Sequence, residues 1–412
     1  MQVFTGYQCS ICGKEYEPDD IMYTCPADGG ILDVLLDYED LKNKTEDELI
    51  IRSEPSLWRY LPLLPVARRI GAGTPLRAAG WTPTYSPPQL KKELGLENLW
   101  VKDESGNPTA SFKDRASALL VTRAREIGAE VIVTASTGNA GAALAGMAAA
   151  VGHESVIFAP KTAPPAKITQ LLIYGSRVIL VDDNYDAAYA LSLEATEAFG
   201  WYNRNTGYNP FTAEGKKTAA FEIWEQVLLA QELDRPLCVF VSVGDGNIIS
   251  GLHKGFKDLY QIGQIKHMPR IFGCQSTGSA AIANAFFAGD EEIKPVSADT
   301  LADSISVNLP SDGLRALRAA TQTNGAYLTV EDQAILQAIA DLGRVGIFAE
   351  PAGSTSYAGL KKALENEQIT REDPVLVLNT GSGLKDVQAA MEIAPEAPVI
   401  KPDLDEVKAL LG

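Results

Sequence analysis

One lysine stands where the sequence can make a side-chain amine reactive. Lys113 lies in the stretch ESGNPTASFKDRAS at 104–117, after the strand-like run LWVKDE and at the start of a run whose apolar residues recur at helical spacing. Pro108, Thr109 and Ser111 supply turn and N-cap chemistry before that helix. A helix N-terminus disfavours a cation, so the amine is shifted toward its neutral, nucleophilic form. A lysine in that position can form a Schiff base, whereas an ordinary solvated helix lysine would not.

A second polar turn follows the lysine helix. The run EVIVTASTGNAGAALAG reads as a strand, a glycine-bearing turn and an Ala-rich helix. The backbone N–H groups of residues 136–140 would then point into an anion site at the helix start. A dinucleotide fingerprint is the alternative, but it requires an acidic residue at the end of the next strand. That strand, SVIFAP, ends in Ala159 and Pro160, which excludes dinucleotide binding.

Two later strands also run into glycine-containing turns. In LCVFVSVGDGNIISG the glycines Gly244 and Gly246 let the backbone approach an anion, and the helix that follows stabilises its charge. In PVLVLNTGSGLKD a buried strand places the hydroxyl of Thr380 at the strand end. Alternation of strands and helices at this spacing predicts parallel sheets covered by helices.

Three of the five cysteines are grouped near the N-terminus. Thiolates at C-x₂-C spacing on a tight turn can reach one tetrahedral metal, and a carboxylate can replace the fourth cysteine of a zinc ribbon. A degenerate ribbon that keeps its turns without the metal fits the same pattern, so both interpretations stay open. The candidate zinc ligands are Cys9, Cys12, Cys25 and Asp28.

Composition bounds the class of protein. The chain has 412 residues and a formal charge of −17, which argues against nucleic acid or anionic membranes as partners. No apolar run reaches the roughly 18 residues of a membrane span, and the start MQVFTGYQCS lacks the regions of a signal peptide. We therefore expect a cytoplasmic protein that acts on a small molecule.

The four turns, in this order, resemble the motifs of the threonine synthase family. Members of this family are fold-type II enzymes that depend on pyridoxal phosphate (PLP). The sequence around Lys113 is most similar to the motif of that family. The segments STGN at 136–139 and TGSGLKD at 380–386 resemble two further motifs of the same family. The resemblance implies that Lys113 carries PLP as a Schiff base, that Asn139 hydrogen-bonds the cofactor's 3′-oxygen, and that Thr380 hydrogen-bonds its pyridine nitrogen. A hydroxyl at that nitrogen favours elimination and replacement over transamination.

The same resemblance assigns the remaining site residues. It implies that the substrate carboxylate binds the turn made by Ser136, Thr137, Gly138 and Asn139. It implies that the cofactor phosphate binds the loop made by Gly244, Asp245, Gly246, Asn247 and Ile248. Asp245 departs from the family's usual G-N-x-G-N wording, and a carboxylate beside a phosphate is repulsive unless it turns away.

The implied fold has two doubly wound α/β domains and a small N-terminal zinc-ribbon-like segment. We expect that segment at 1–45, a large PLP-phosphate-binding domain at 46–103 and 210–412, and a smaller mobile α/β domain at 104–209. The family also implies a homodimer.

The substrate is where the sequence departs most from the family. The resemblance implies that the donors for the phosphate of O-phosphohomoserine are replaced here by Ala140, Gly207 and Thr212. Four cationic residues could compensate, namely Arg204, Lys216, Lys161 and Lys167.

Three functions therefore remain. The first is conversion of O-phospho-L-homoserine and water to L-threonine and phosphate, with Lys113 shuttling protons. The second is β-elimination or β-replacement on serine, threonine or O-phosphoserine, as in dehydratases or cysteate synthase. The third is a non-catalytic binding protein, which the intact lysine motif disfavours.

Overall fold

The chain forms two parallel sheets and one small antiparallel sheet. The computed structural model describes residues 3–412. Its strands are β1 (Phe4–Cys9), β2 (Glu15–Tyr16), β3 (Leu32–Leu36), β4 (Thr84–Tyr85), β5 (Leu99–Asp103), β6 (Val131–Ala135), β7 (Glu154–Pro160), β8 (Arg177–Val181), β9 (Tyr202–Asn203), β10 (Cys238–Ser242), β11 (Arg270–Ser276), β12 (Ala326–Val330) and β13 (Val375–Asn379).

Helices cover the two larger sheets. They are α1 (Tyr38–Lys42), α2 (Glu46–Leu49), α3 (Pro88–Leu94), α4 (Lys113–Glu126), α5 (Asn139–Ala149), α6 (Pro165–Ile173), α7 (Tyr185–Phe199), α8 (Phe211–Lys216), α9 (Thr218–Ile223), α10 (Asn247–Gln261), α11 (Ala281–Ala288), α12 (Gly313–Thr321), α13 (Asp332–Gly343), α14 (Pro351–Glu365), α15 (Val387–Ile393) and α16 (Leu404–Leu411). Across residues 3–412, no helix is both long and apolar enough to cross a membrane.

The sheets have the topology that alternating strands and helices predict. One sheet has the order β12-β11-β10-β13-β5-β4, and the other has the order β8-β7-β6-β9. Apart from β4, which pairs antiparallel with β5, the strands of both sheets are parallel. Every residue of β10 and β13 is buried, as expected where helices cover both faces. The fold-type II prediction of two α/β sheets is therefore confirmed.

The N-terminal segment adds the third sheet. Strands β2, β1 and β3 form an antiparallel sheet; Cys9 ends β1, and Cys12 and Cys25 lie in the turns between the strands. Two arginines of α12 connect this sheet to the rest of the chain: Arg315 contacts Asp33 at 2.7 Å, and Arg318 donates to the carbonyl of Ser10 at 2.5 Å. The N-terminal segment is thus held against α12 by these two contacts.

A buried ion network supports the start of α4. Arg115 donates to Glu104 at 2.7 Å and to Glu222 at 2.5 Å, and Lys102 contacts Glu222 at 2.8 Å. All four side chains are fully buried. Two cations face two carboxylates, so the network is balanced in charge and fixes the turn of helix that follows Lys113.

Candidate active site

A cavity lies where the carboxyl ends of β10 and β13 meet the starts of α4 and α5. Its volume is about 420 Å³ including the open mouth. The lining residues come from all four predicted turns and include Lys113, Asn139, Ser242, Gly244, Asp245, Gly246, Ile248, Glu350 and Thr380. Residues far apart in the sequence are brought together because parallel strands present their carboxyl ends at one edge of a sheet.

Lys113 is the first residue of α4, as its sequence context predicts. Burial lowers the pKa of its amine, and the charges of Asp245 and Glu350 only partly oppose that shift. The N-cap assignment of Ser111 is wrong, because no side chain caps this helix and the buried Ser111 hydroxyl has no hydrogen-bond partner. The turn is held instead by Asp114, which accepts the N–H of Thr109 at 2.6 Å.

The glycine loop after β10 has little room for side chains. A Cβ on Gly244 would lie 2.8 Å from Cα of Ile305, and one on Gly246 would lie 2.6 Å from the carbonyl oxygen of Asp312. Gly246 also has a φ of +95°, which disfavours any other residue. The loop therefore brings bare backbone to the edge of the cavity at the start of α10, as an anion site requires.

The side chains of Asp245 and Asn247 in this loop make different hydrogen bonds. Asp245 turns toward the helix start, where it accepts the N–H of Asn247 at 3.1 Å. Burial alone would raise its pKa, but Lys113, Lys216 and Arg204 together lower it. The Asn247 side chain accepts from Lys216 at 2.6 Å and donates to Asp312 at 2.7 Å. Asp245 thus supplies negative charge where the resemblance implies a phosphate.

An unpaired hydroxyl marks the cavity as a binding site. The Oγ atom of Ser242 is buried, lines the cavity and has no hydrogen-bond partner among the residues that the structure describes. A buried polar atom without a partner is uncommon and is satisfied when a ligand supplies one. This hydroxyl, the bare glycine loop and the amine of Lys113 fit a cofactor that carries both a phosphate and an aldehyde.

Glu350 is a site residue that the sequence motifs did not reveal. It precedes Pro351 at the start of α14 and lines the cavity. Its carboxylate accepts from Asn139 at 2.9 Å and from the Thr380 hydroxyl at 3.4 Å. Burial raises its pKa, and Asn139 and Lys113 offset part of that rise. A glutamate directly before a helix-starting proline in FAEPAG was the available signal.

A second, wider cavity adjoins the first. Its volume is about 1050 Å³ including the mouth, and its lining includes Thr137, Gly138 and Asn139. The backbone N–H of Ser136, the first residue of that turn, donates to the carbonyl of Phe158 at 3.1 Å. The two cavities share Asn139 and Glu350, so the STGN turn stands between the cofactor-sized space and the opening.

The positions that lack the family's phosphate donors do not provide other donors. The Thr212 hydroxyl donates to the carbonyl of Asn209 at 2.7 Å, and Gly207 packs against Ser311 with a φ of +74°. Ala140 offers no polar side-chain atom.

The four candidate cations differ in their surroundings. Lys161 is 63% exposed and pairs with Asp182, and Lys167 pairs with Asp303 at 2.5 Å on the wall of the second cavity. Lys216 and Arg204 are fully buried. Of the four, only these two are enclosed by the protein.

The N-terminal cluster has the dimensions of a metal site. The ligand atoms of Cys9, Cys12, Cys25 and Asp28 all lie within 4.8 Å of one another. The pKa of Asp28 is lowered to about 2, chiefly by its hydrogen bond with Cys12. Three thiols and a carboxylate are a donor set that suits Zn²⁺.

Comparisons with known proteins agree with this geometry. Residues 76–381 match the family described as pyridoxal-phosphate dependent enzyme. The chain is 39% identical over 407 residues to a threonine synthase of Methanocaldococcus jannaschii, covering 98% of each chain. It is 35% identical over 411 residues to a threonine synthase of Methanosarcina acetivorans, again covering 98% of each.

Solved structures show the same fold. The processed form of threonine deaminase isoform 2 from Solanum lycopersicum superposes with a TM-score of 0.67 at 24% identity, covering 86% of this chain and 94% of that one. Maize serine racemase superposes with a TM-score of 0.64 at 23% identity, covering 76% of this chain and 91% of that one.

Proposed function

Since the chain belongs to the threonine synthase family of pyridoxal-phosphate-dependent enzymes, we propose that it converts O-phospho-L-homoserine and water to L-threonine and phosphate. One observation carries the proposal: a chain that matches threonine synthases over 98% of its length places the Lys113 amine in the cavity where all four motifs meet. The reaction is a carbon–oxygen lyase reaction.

The residues of the cavity would divide the work. Bound PLP supplies an electron sink for charge that develops on the substrate carbons. Lys113 would hold the cofactor and then move protons at the substrate carbons, and its lowered pKa makes the neutral amine accessible for that purpose. The bare backbone of Gly244 and Gly246 would hold the cofactor phosphate, while Asp245 would need to keep its carboxylate clear of it.

Three further side chains would orient the reacting groups. Thr380 would hydrogen-bond the pyridine nitrogen, and Asn139 the 3′-oxygen, since both line the cavity with Lys113; each would give up its present hydrogen bond to Glu350 to do so. Thr137 and Gly138 would hold the substrate carboxylate from the second cavity. In the same proposal, Ser136 is part of the turn that holds the substrate carboxylate. Asn247 and Ile248 are part of the loop that holds the cofactor phosphate.

Turnover tests the function directly. The purified holoenzyme should release phosphate and form L-threonine from O-phospho-L-homoserine, and O-phospho-L-serine, L-threonine and L-serine should react far more slowly. Preference for any of these three would replace the proposal by β-elimination or β-replacement. One observation favours that second candidate, because Ala140, Gly207 and Thr212 offer no free donor to the substrate's phosphate.

We also propose that Cys9, Cys12, Cys25 and Asp28 bind zinc. The proposal is supported by the closeness of their ligand atoms and by their donor types. Metal analysis should find about one zinc per chain, reduced in Cys12→Ser and retained in Asp19→Asn, which changes an exposed carboxylate of the same segment. Zinc-free parent protein with unchanged stability would support the degenerate ribbon instead.

The domain division and the assembly complete the proposal. We assign the ribbon to 1–45, the large domain to 46–103 and 210–412, and a smaller mobile domain to 104–209, which contains the sheet β8-β7-β6-β9. Small-angle scattering with and without substrate should show closure of the smaller domain. We further propose a cytoplasmic homodimer, which light scattering of the purified protein and localisation of a tagged chain would test.

A further inference from the structure

Arg204 lies at the edge of the smaller sheet that faces the substrate turn. It follows β9 directly, and β9 pairs in parallel with β6, whose own carboxyl end leads into the STGN turn. The backbone N–H of Arg204 donates to the carbonyl of Val133 at 2.8 Å. Because parallel strands end at the same edge, Arg204 and the turn at 136–139 are on the same side of the sheet.

The guanidinium of Arg204 is only partly satisfied. It is fully buried, its Nη1 donates to Thr206 at 2.8 Å, and its Nε contacts the Ser117 hydroxyl at 3.4 Å. Its Nη2 is buried without a hydrogen-bond partner, and within residues 3–412 no carboxylate lies within ion-pair distance of it. A buried cation of this kind is costly unless an anion joins it.

Charged groups of both signs lie around Arg204. The charge of Arg204 lowers the pKa of Lys113 and of Lys216, and Asp245, which lines the cavity, raises the pKa of all three groups. Three further carboxylates each raise the pKa of one of them, namely Asp114, Glu350 and Asp312. Burial lowers the pKa of Arg204 to about 10, so the group stays cationic at neutral pH. Burial lowers the pKa of Lys216 well below its usual value, and the charge of Lys113 adds to that shift. Arg204 is therefore the group of the three that keeps its charge, and within residues 3–412 no carboxylate forms an ion pair with it.

We propose that Arg204 binds the phosphate of a phosphorylated amino-acid substrate, with Lys216 beside it. This rests on the proposed function and deepens it. The cofactor phosphate has its own place at the glycine loop after β10, on the other sheet, whereas Arg204 is on the sheet that carries the substrate turn. Lys161 and Lys167 are already paired with aspartates and Lys216 donates to the Asn247 side chain, whereas within residues 3–412 the Nη2 of Arg204 has no hydrogen-bond partner at all.

Arg204→Gln tests the assignment in the holoenzyme. We would titrate O-phospho-L-homoserine and, separately, L-homoserine, and follow the cofactor's absorbance to obtain each Kd. Loss of a charge-assisted contact should raise the Kd for O-phospho-L-homoserine by about 10- to 100-fold. The Kd for L-homoserine, which has no phosphate, should change by less than about twofold. Arg204→Lys should lie between parent and Arg204→Gln, since it keeps the charge and loses the planar donors. The control Arg125→Gln removes an exposed arginine of α4 and should behave like the parent.

The outcomes separate the alternatives. Equal weakening of both ligands, or no weakening of either, would overturn the assignment, and so would a matching loss of PLP affinity, which would place Arg204 at the cofactor phosphate. If Arg204→Gln does not fold, Arg204→Lys carries the same comparison. If the parent binds O-phospho-L-homoserine without converting it, the proposed function fails, while selective weakening by Arg204→Gln still supports the phosphate site.

Discussion

Two buried clusters of charge lie on either side of the start of α4, and they are built differently. Behind the helix, Arg115 and Lys102 face Glu104 and Glu222, with contacts of 2.5–2.8 Å. In the second cluster, Lys113, Lys216 and Arg204 all act on Asp245, and within residues 3–412 the Nη2 of Arg204 has no hydrogen-bond partner. A buried network of paired charges is expected to stabilise the fold, whereas a buried cation without a partner can gain one from a bound anion. We therefore expect the first cluster to be structural and, under the proposal above, the second to bind a ligand.

The largest effect should follow from removing the cation that does chemistry. Lys113→Ala should lower kcat by at least about 1,000-fold, because among residues 3–412 Lys113 is the lysine that lines the first cavity and could hold the cofactor and move protons. Phosphate release under saturating substrate measures this. Lys161→Ala removes an exposed lysine and should leave kcat unchanged. Borohydride reduction followed by peptide mapping should place the cofactor on Lys113, and a label on another lysine would contradict the assignment.

The two clusters should respond in opposite ways to loss of an arginine. Arg115→Met leaves Glu104 and Glu222 without their main partner and should cost about 3–5 kcal/mol of unfolding free energy. Arg204→Met removes a cation that has no carboxylate within ion-pair distance and should leave the apo-protein within about 1 kcal/mol of the parent. Urea denaturation of the apo-proteins makes the comparison. Similar losses in both variants would mean that the clusters do not differ in kind.

A smaller effect is expected at the cofactor ring. Thr380→Val removes one hydroxyl hydrogen bond worth on the order of 1 kcal/mol, so PLP affinity should fall by roughly five- to tenfold without loss of all activity. Titration of the apo-protein with PLP gives the affinity, and Thr162→Val changes an exposed threonine as a control. Thr380→Asp should protonate the ring and lower net turnover. Parent-like behaviour of both variants would remove Thr380 from the ring.

The smallest effect concerns the pH dependence of stability. Burial raises the folded-state pKa of Glu350 above its unfolded value of roughly 4.3. The ionised carboxylate therefore destabilises the apo-protein at pH values above the folded-state pKa, and this cost disappears as pH falls below the unfolded pKa. Glu350→Gln should raise Tm by about 2 °C at a pH of about 8 and by less at a pH of about 5. An equal change at both pH values would contradict the shift.

Local patterns in the sequence predicted most of the fold. The strand-turn-helix runs ending at Ser136, Gly244 and Thr380 are strongly apolar and bounded by glycine, so β6, β10 and β13 follow directly from them. The strand order within each sheet did not follow, because it depends on contacts between segments more than a hundred residues apart.

The sequence could not predict the charge states of the site residues. Glu350 has no special spacing from Lys113, and its hydrogen bonds to Asn139 and Thr380 exist only in the folded chain. In the sequence, Arg204 and Lys161 are equally good candidates for a cation that binds the substrate phosphate. In the structure Arg204 is buried and Lys161 is 63% exposed. Burial and pairing, which decide what a cation can do, are properties of the packed structure.

Binding of inorganic phosphate to the holoenzyme tests the contrast between the two clusters most directly. In the holoenzyme the cofactor fills its own phosphate site, so calorimetry should detect one phosphate per chain that depends on the cavity-side cations. Arg204→Gln should weaken that phosphate by at least about tenfold, and Arg125→Gln should not. An unchanged Kd in Arg204→Gln, or no phosphate bound by the parent, would contradict the claim that the unpaired cations form a binding site.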